Sequence, residues 1–396
     1  MSFVAVYEKI PIERLLTQSS QVSPAEVERT LARRNWSYLD FPSLISPAAG
    51  QNLEKLGQIS QRITQQRFGK TVRLFAPLYL SNECINNCKY CGFSRDNPIF
   101  RVTLSVPEVE KEAAALSSAG FRSILLVAGE QPKFISADYL RDCVAGLRPM
   151  FPSISLEIGP MNTEEYRPLV DAGAEGLVVY QETYDRSVYA SVHTAGPKRD
   201  FNWRLETPER AYAAGFRRLG IGALYGLSDW RLEAFHLAAH LDYLLKHCWK
   251  AQLTISLPRL RPHAGDFEPL TRITDRELLQ LICAFRLAFP DVGIVLSTRE
   301  PARLRNGLIP LGITHMSAGS HTEPGGYTGA GKENLHKTER GRVVALDSPG
   351  SADAATGQFQ IADERTPAEI AHLLSGLGYE PVWKDWDPSL VGDKMA

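Results

Sequence analysis

The sequence has no apolar run of about 20 residues, the length a helix needs to cross a bilayer, so no membrane span is expected. The most apolar helical stretch, Leu278 to Phe289, is interrupted by Gln280 and Arg286 and reads as a buried helix. Charge of one sign is missing too: 44 Lys and Arg against 45 Asp and Glu leave a net charge of −1. Without a broad basic field, nucleic acid is not an expected partner. Met1 to Arg14 mixes Glu8, Lys9, Glu13 and Arg14 into its apolar residues, which is not the pattern of a secretion signal. Solenoid repeats and low-complexity tracts are absent. The remaining picture is a chain expected in the reducing cytoplasm, with 44% hydrophobic residues to build a sizeable core.

Cysteine is scarce, six in 396 residues, yet three of the six fall in Cys84-Ile85-Asn86-Asn87-Cys88-Lys89-Tyr90-Cys91. Thiolates this close can converge on one soft metal centre, and iron–sulfur clusters are held by Cys thiolates. A four-iron cluster on three local cysteines keeps one iron open for a small molecule. A structural zinc site wants a fourth ligand nearby, but the next Cys is Cys143 and the first His is His193. A disulfide with one spare thiol fits poorly with a chain lacking a secretion signal. Cys143, Cys248 and Cys283 fall in helical patterns without clustering and read as structural.

Residues 1–70 read as a helical, polar extension. Ser23-Pro24-Ala25-Glu26 is a capping box with Pro at the first helical position, opening a helix through about Arg34; a second is expected from Ala48 to about Phe68. From Thr71 strands and helices alternate. Strand candidates are Val72 to Leu80, Ser123 to Ala128, Ile154 to Ile158, Gly176 to Tyr180, Arg218 to Ala223, Leu253 to Leu257, Gly293 to Ser297 and His315 to Ala318. Helices are expected at Pro107 to Ala119, Ala137 to Leu147, Thr163 to Asp171, Pro208 to Ala214, Ser228 to His247, Asp275 to Phe289 and Ala302 to Asn306. Eight such units over residues 71–324 predict a (β/α)8 TIM-type barrel of the α/β class; an open doubly wound sheet is the runner-up. Residues 325–396 read as an irregular tail packing on the barrel, with a helix from Pro367 to Leu377. Trp383 and Trp386 in its last part suggest docking on the protein body.

In a barrel the active residues sit on the loops after the strands. The cysteine stretch follows the first strand directly. Strand 2 ends in Ala128-Gly129-Glu130, strand 3 in Glu157 and strand 4 in Tyr180-Gln181-Glu182, so three carboxylates can face one pocket. The loop from His193 to Arg204 carries Lys198 and Arg204. Pro258-Arg259-Leu260-Arg261-Pro262 puts two arginines on one side of an extended segment. Arg299 ends strand 7, and Ser317 and Ser320 flank the end of strand 8. Arg299 with a strand-8 serine is a candidate cradle for an α-amino-acid carboxylate, since the rim of a barrel is a costly place for idle charge. A surface pair of Arg299 with Glu300 or Glu323 is the competing reading.

Cys84-x3-Cys88-x2-Cys91, with Tyr90 before the last Cys and Phe93 after it, resembles the cluster motif of the radical S-adenosylmethionine (SAM) enzymes, in which SAM chelates the open iron. Ala128-Gly129-Glu130 resembles their Gly-Gly-Glu element, with Ala replacing the first Gly. Together with Tyr180-Gln181-Glu182-Thr183-Tyr184, Gly196-Pro197-Lys198, Ser297-Thr298-Arg299-Glu300, Pro324-Gly325-Gly326-Tyr327 and Trp383-Lys384-Asp385-Trp386-Asp387, the chain from about residue 70 onward is similar to the radical SAM tyrosine lyases of thiamine biosynthesis. The resemblance implies a [4Fe–4S] cluster on Cys84, Cys88 and Cys91, and SAM held near Gly129, Glu130, Glu157, Glu182, Lys198 and Arg204. It also implies L-tyrosine cleaved at Cα–Cβ to 2-iminoacetate and p-cresol, a complex with thiazole synthase, and a flavodoxin or ferredoxin reductant. Arg299, Ser317, Ser320 and Tyr90 are the candidates for handling tyrosine, with Tyr90, His193 and His263 as candidate bases for its phenol. The hydrogenase-maturing tyrosine lyase is the nearest rival, but it carries a second cluster on C-terminal cysteines, and here the last cysteine is Cys283. A tryptophan lyase and a non-catalytic iron–sulfur scaffold are weaker rivals.

Overall fold

The structure is a computed structural model that describes residues 2–339, 342–345 and 354–383. Eight parallel strands follow one another around a closed ring. They are β1 (Thr71–Ser81), β2 (Ser123–Ala128), β3 (Ser153–Glu157), β4 (Gly176–Glu182), β5 (Arg218–Ala223), β6 (Gln252–Ser256), β7 (Gly293–Leu296) and β8 (His315–Ser317). β8 returns to β1 with Arg73 opposite His315 and Leu74 opposite Met316. That closure excludes the open doubly wound sheet. Helices alternate with the strands along the ring, the expected (β/α)8 architecture.

The alternation of a strand's side chains explains how the barrel divides its surfaces. In β1, Val72, Leu74, Ala76 and Leu78 are buried in the main core. Their neighbours Phe75, Pro77 and Tyr79 line a cavity inside the barrel mouth. The shell helices start where capping chemistry says they should. Asn162 and Glu165 cap Thr163–Ala172, and Thr274 and Glu277 cap Asp275–Ala288, each reciprocally.

The N-terminal extension is helical as expected: Phe3–Tyr7, Ile12–Gln21, Pro24–Leu31 and Leu53–Phe68 are its α-helices longer than one turn. The Ser23 capping box forms, but its helix stops at Leu31, short of Arg34. The helix expected from Ala48 breaks at Asn52, leaving a 3-10 turn at Ala49–Gln51 before Leu53. The extension is bound to the shell: Phe3 stacks on His240 at 4.0 Å, and the Ser60 hydroxyl donates to the Leu311 carbonyl at 2.5 Å.

The tail is more than a covering. Its strand β9 (Glu380–Val382) pairs in parallel with Thr71–Arg73 of β1. Trp383 meets Phe121 edge to face at 5.3 Å, so the first of the two tryptophans docks on the body; Trp386 lies outside the described residues. The expected tail helix runs from Pro367 to Gly376. Residues 354–363 cross the barrel mouth as a strap. Its amides donate to the carbonyls of Phe100, Thr322, Pro262 and Thr298, at Thr356, Gln358, Gln360 and Ala362 respectively. Arg305, wholly buried, pairs with Asp363 and fastens the strap's end to the Ser317 carbonyl of β8.

Candidate active site

The cysteine loop leaves β1 at Ser81 and is built to hold a shape. Arg101, 1% exposed, donates from Nη1 to the carbonyls of Asn82 and Phe93 and from Nη2 to that of Ser94. A buried guanidinium spent on the loop's carbonyls is a rigid staple, because each bond to a charged donor is among the stronger kinds. Cys88 also pairs with His193 through a two-stranded antiparallel ladder (Asn87–Cys88 with His193–Ala195). The segment from His193 to Arg204, expected as a loop, is therefore a short strand, a 3-10 turn and the helix Phe201–Leu205.

The three thiols Cys84, Cys88 and Cys91 line one cavity together with Gly129, Glu130, Glu157, Glu182, Lys198 and Arg204. The structure thus brings together every residue assigned from sequence to the cluster and to SAM, and the carboxylates after β2, β3 and β4 do share one pocket. Among the described residues no three His, Cys, Asp or Glu side chains meet closely enough to hold a single metal ion. The three thiols face a common space, and Cys thiolates are the ligands that hold iron–sulfur clusters. Burial pushes all three thiols above the usual range, so loading a cluster must release protons. Side-chain amides reach two of the sulfurs: Asn86 Nδ2 lies 3.8 Å from Cys84 Sγ, and Gln358 Nε2 lies 3.8 Å from Cys91 Sγ.

Close packing shapes the rest of this cavity. Gly129 ends the β2 element with its Cα against the cysteine loop; a Cβ there would lie 2.2 Å from the Glu83 carbonyl oxygen. Glu130 is anchored by Asn86 Nδ2 at 2.6 Å, and its carbonyl accepts from Ile85 N at 2.8 Å. Glu182 is the one non-glycine among the described residues with positive φ, at 72°. That strained turn, at a β4 register shift, aims its carboxylate at Lys198 Nζ, 2.7 Å away, and Arg204 Nη2, 3.6 Å away. Burial would raise the Glu182 pKa, but Lys198 and Arg204 outweigh burial and hold it below the usual value. Lys198 and Arg204 thus form a locally cationic pair on the Glu182 carboxylate, in a wall that Glu130 and Glu157 also line.

A second cavity opens beside the first, inside the mouth. Tyr79, Tyr180, Ser256, Arg299, Ser317 and Ser320 are among its lining residues, and it shares Val127, Glu157 and Gln358 with the cysteine cavity. Arg299 stacks over the Phe359 ring at 3.4 Å. Its guanidinium has no carboxylate partner among the described residues, since Glu300 is taken by Arg259, which also binds Asp275 at 2.8 Å. Neither a pair of Arg299 with Glu300 nor one with Glu323, which bonds His321, is formed, and Arg259 does not serve the pocket. The buried Ser320 hydroxyl has no hydrogen-bond partner among the described residues, whereas Ser317 Oγ accepts from Thr298 N at 3.2 Å. Glu157, at the junction, is raised to about 7, by burial first and then by Glu182.

Three sequence candidates stand elsewhere. Tyr90 is 7% exposed behind the cysteine loop. Its hydroxyl donates to His193 Nε2 at 2.6 Å, because His193 Nδ1 is spent on the Tyr189 carbonyl. Burial and nearby Lys198 and Arg204 push His193 down to about 2, so it is neutral. Neither ring, nor that of His263, which bonds the Lys89 carbonyl, lines the two cavities. Tyr90, expected among the groups that handle substrate, thus stands apart from the cavity that Arg299, Ser317 and Ser320 line. Conversely, Gln358 and Phe359 were missed, because they sit in a tail segment with no periodicity or motif to mark them.

Comparison with known proteins fits this geometry. The Radical SAM superfamily matches residues 78–238, and the Biotin and Thiamin Synthesis associated domain matches residues 256–380. A 2-iminoacetate synthase of Escherichia coli (strain K12) is 44% identical over 367 residues, 92% of this chain and 92% of that protein. Another, of Salmonella typhimurium (strain LT2), is 43% identical over 92% of this chain and 91% of its own. Among solved structures, HydG, a maturase of the [FeFe]-hydrogenase, superposes with a TM-score of 0.83 at 29% identity, covering 95% of this chain and 80% of that one.

Proposed function

The chain belongs to the 2-iminoacetate synthase family of radical SAM enzymes, and from that membership we infer that it cleaves the Cα–Cβ bond of L-tyrosine to 2-iminoacetate and p-cresol, for thiazole formation in thiamine biosynthesis. The observation that carries the reading is the pair of adjoining cavities: one walled by three free thiols, the other by Arg299 and Ser320, which have no carboxylate and no hydrogen-bond partner, respectively, among the described residues.

Cys84, Cys88 and Cys91 would hold a [4Fe–4S] cluster, and Lys198 and Arg204, the cationic pair beside Glu182, suit the SAM carboxylate as charge-assisted donors. When bound, the cluster supplies one electron and SAM the carbon radical that takes a hydrogen atom from the tyrosine amino group. The protein's own work is placement. Arg299 and Ser320 take the substrate carboxylate, the guanidinium as a charge-assisted donor. Glu157, standing where the cavities meet, serves a SAM ribose hydroxyl. The strap roofs the mouth and keeps water from the reacting centre. Rim residues such as Pro77 and Tyr79 give the aromatic ring an apolar wall. A one-electron reductant of the flavodoxin or ferredoxin class and a complex with thiazole synthase complete the scheme; no helix among the described residues is long and apolar enough to cross a membrane.

An anaerobic assay tests the reading. The protein reconstituted with iron and sulfide, given SAM, L-tyrosine and a strong reductant, is expected to form p-cresol and 5′-deoxyadenosine in matched amounts, and Cys88→Ala neither. Formation of 5′-deoxyadenosine without p-cresol would keep the radical chemistry and reject the substrate.

A further inference from the structure

Gln358 stands at the one place where the strap, the substrate cavity and the cysteine loop meet. Its backbone is fixed at both ends of the residue: its N–H donates to the Thr322 carbonyl at 2.9 Å, and its carbonyl accepts from Gly92 N at 3.0 Å. The approach to the cysteine loop is so close that a Cβ on Gly92 would lie 2.6 Å from the Gln358 carbonyl oxygen. Its side chain is equally constrained. The Tyr79 hydroxyl donates to Oε1 at 2.9 Å, and the sulfur on the other side is an acceptor that suits the amide nitrogen. Nε2 is left facing Cys91 Sγ at 3.8 Å. The residue lines both cavities.

We propose that Gln358 is a positioning residue that sets the reduction potential of the cluster through its N–H bond to the Cys91 sulfur, with Tyr79 holding the amide in the donating orientation. The proposal rests on the cluster reading above. Hydrogen bonds to cysteinyl sulfurs are one of the protein's levers on cluster potential. A donor at sulfur withdraws electron density and favours the state carrying the extra electron. The step concerned is a one-electron uptake from an external reductant, with no bond made or broken. Asn86 gives Cys84 a comparable donor from within the loop, while the Cys91 donor comes from the strap. Electron uptake is thereby tied to a closed barrel mouth: a strap that lifts away removes the donor together with the roof.

The test is a potentiometric titration of the reconstituted protein with redox mediators, followed by the EPR signal of the reduced cluster. Gln358→Leu, similar in size and without the N–H, is expected to shift the midpoint to a more negative value at unchanged iron and sulfide content. Tyr79→Phe leaves the amide unoriented and is expected to shift it the same way by less. Gln358→Glu keeps the acceptor for Tyr79 but puts charge near the sulfur, and should titrate lowest. If wild type and Gln358→Leu share one midpoint, the proposal is wrong although the enzyme reading stands. Should Gln358→Leu fail to hold a cluster, Gln358→Glu decides: a midpoint equal to wild type overturns the proposal. A wild-type protein that assembles no cluster would overturn the proposal and the functional reading together.

Discussion

At the scale of single residues, the site is a set of charges placed where each has only part of its partners. Arg299 is the sharpest case, a half-buried guanidinium stacked on Phe359 and facing a cavity, with no carboxylate paired to it among the described residues. Removing it should weaken tyrosine, not SAM. Arg299→Ala is expected to raise the KM for tyrosine by roughly 10- to 100-fold, the value of a charge-assisted bond, while uncoupled 5′-deoxyadenosine formation continues. Steady-state kinetics that track both products check this. Glu182 is the opposite case, an anion serving two cations. Glu182→Ala leaves Lys198 and Arg204 unpaired in the cavity wall, and should cost about 3 kcal/mol of stability, read from denaturant unfolding. Arg299 and the three carboxylates were legible in the sequence because strand ends in a barrel point to one face. The left-handed turn at Glu182 was not, since no local residue type demands it. Its cause lies in another element.

That element is the helix Trp230–His247. From it Glu233, fully buried, accepts the Thr183 hydroxyl and the Tyr184 N–H, the latter at 2.8 Å, gripping the chain just after Glu182. Burial raises its pKa from 4.5 to about 8. A group with a raised folded pKa contributes its stability below the unfolded value and loses it as pH climbs through the folded one. The protein is therefore expected to lose stability between about pH 5 and pH 8.5, by a few kcal/mol from this group. Glu233→Gln, which mimics the protonated acid, should flatten that slope in thermal melts across the range. Gly129 makes a second element-scale prediction. A methyl group there meets the Glu83 carbonyl, so Gly129→Ala should displace the cysteine loop from β2 and lower iron content on reconstitution, with the barrel's circular dichroism unchanged. The eight strands themselves were readable as short apolar runs closed by polar ends. The strap was not: residues 354–363 have neither period nor motif, and their order comes from hydrogen bonds to four separate loops.

On the scale of the whole molecule, extension, barrel and tail are not separable layers. Phe3 packs into the shell, and β9 and Trp383 seal the start of β1 and the Gly120–Phe121 turn. Trp383→Ala is expected to cost about 2–3 kcal/mol, below the loss for a fully buried ring, and to lower the single thermal transition without splitting it. The pairing of β1 also has a consequence in time. This strand is synthesised early, yet its partners at His315–Ser317 and Glu380–Val382 emerge much later. Contacts so distant along the chain make for slow folding. A nascent chain on the ribosome holds Cys84, Cys88 and Cys91 on a loop that nothing yet covers. The cavity around those sulfurs is also walled by Gln358, so the pocket is complete only once nearly all of the chain has emerged.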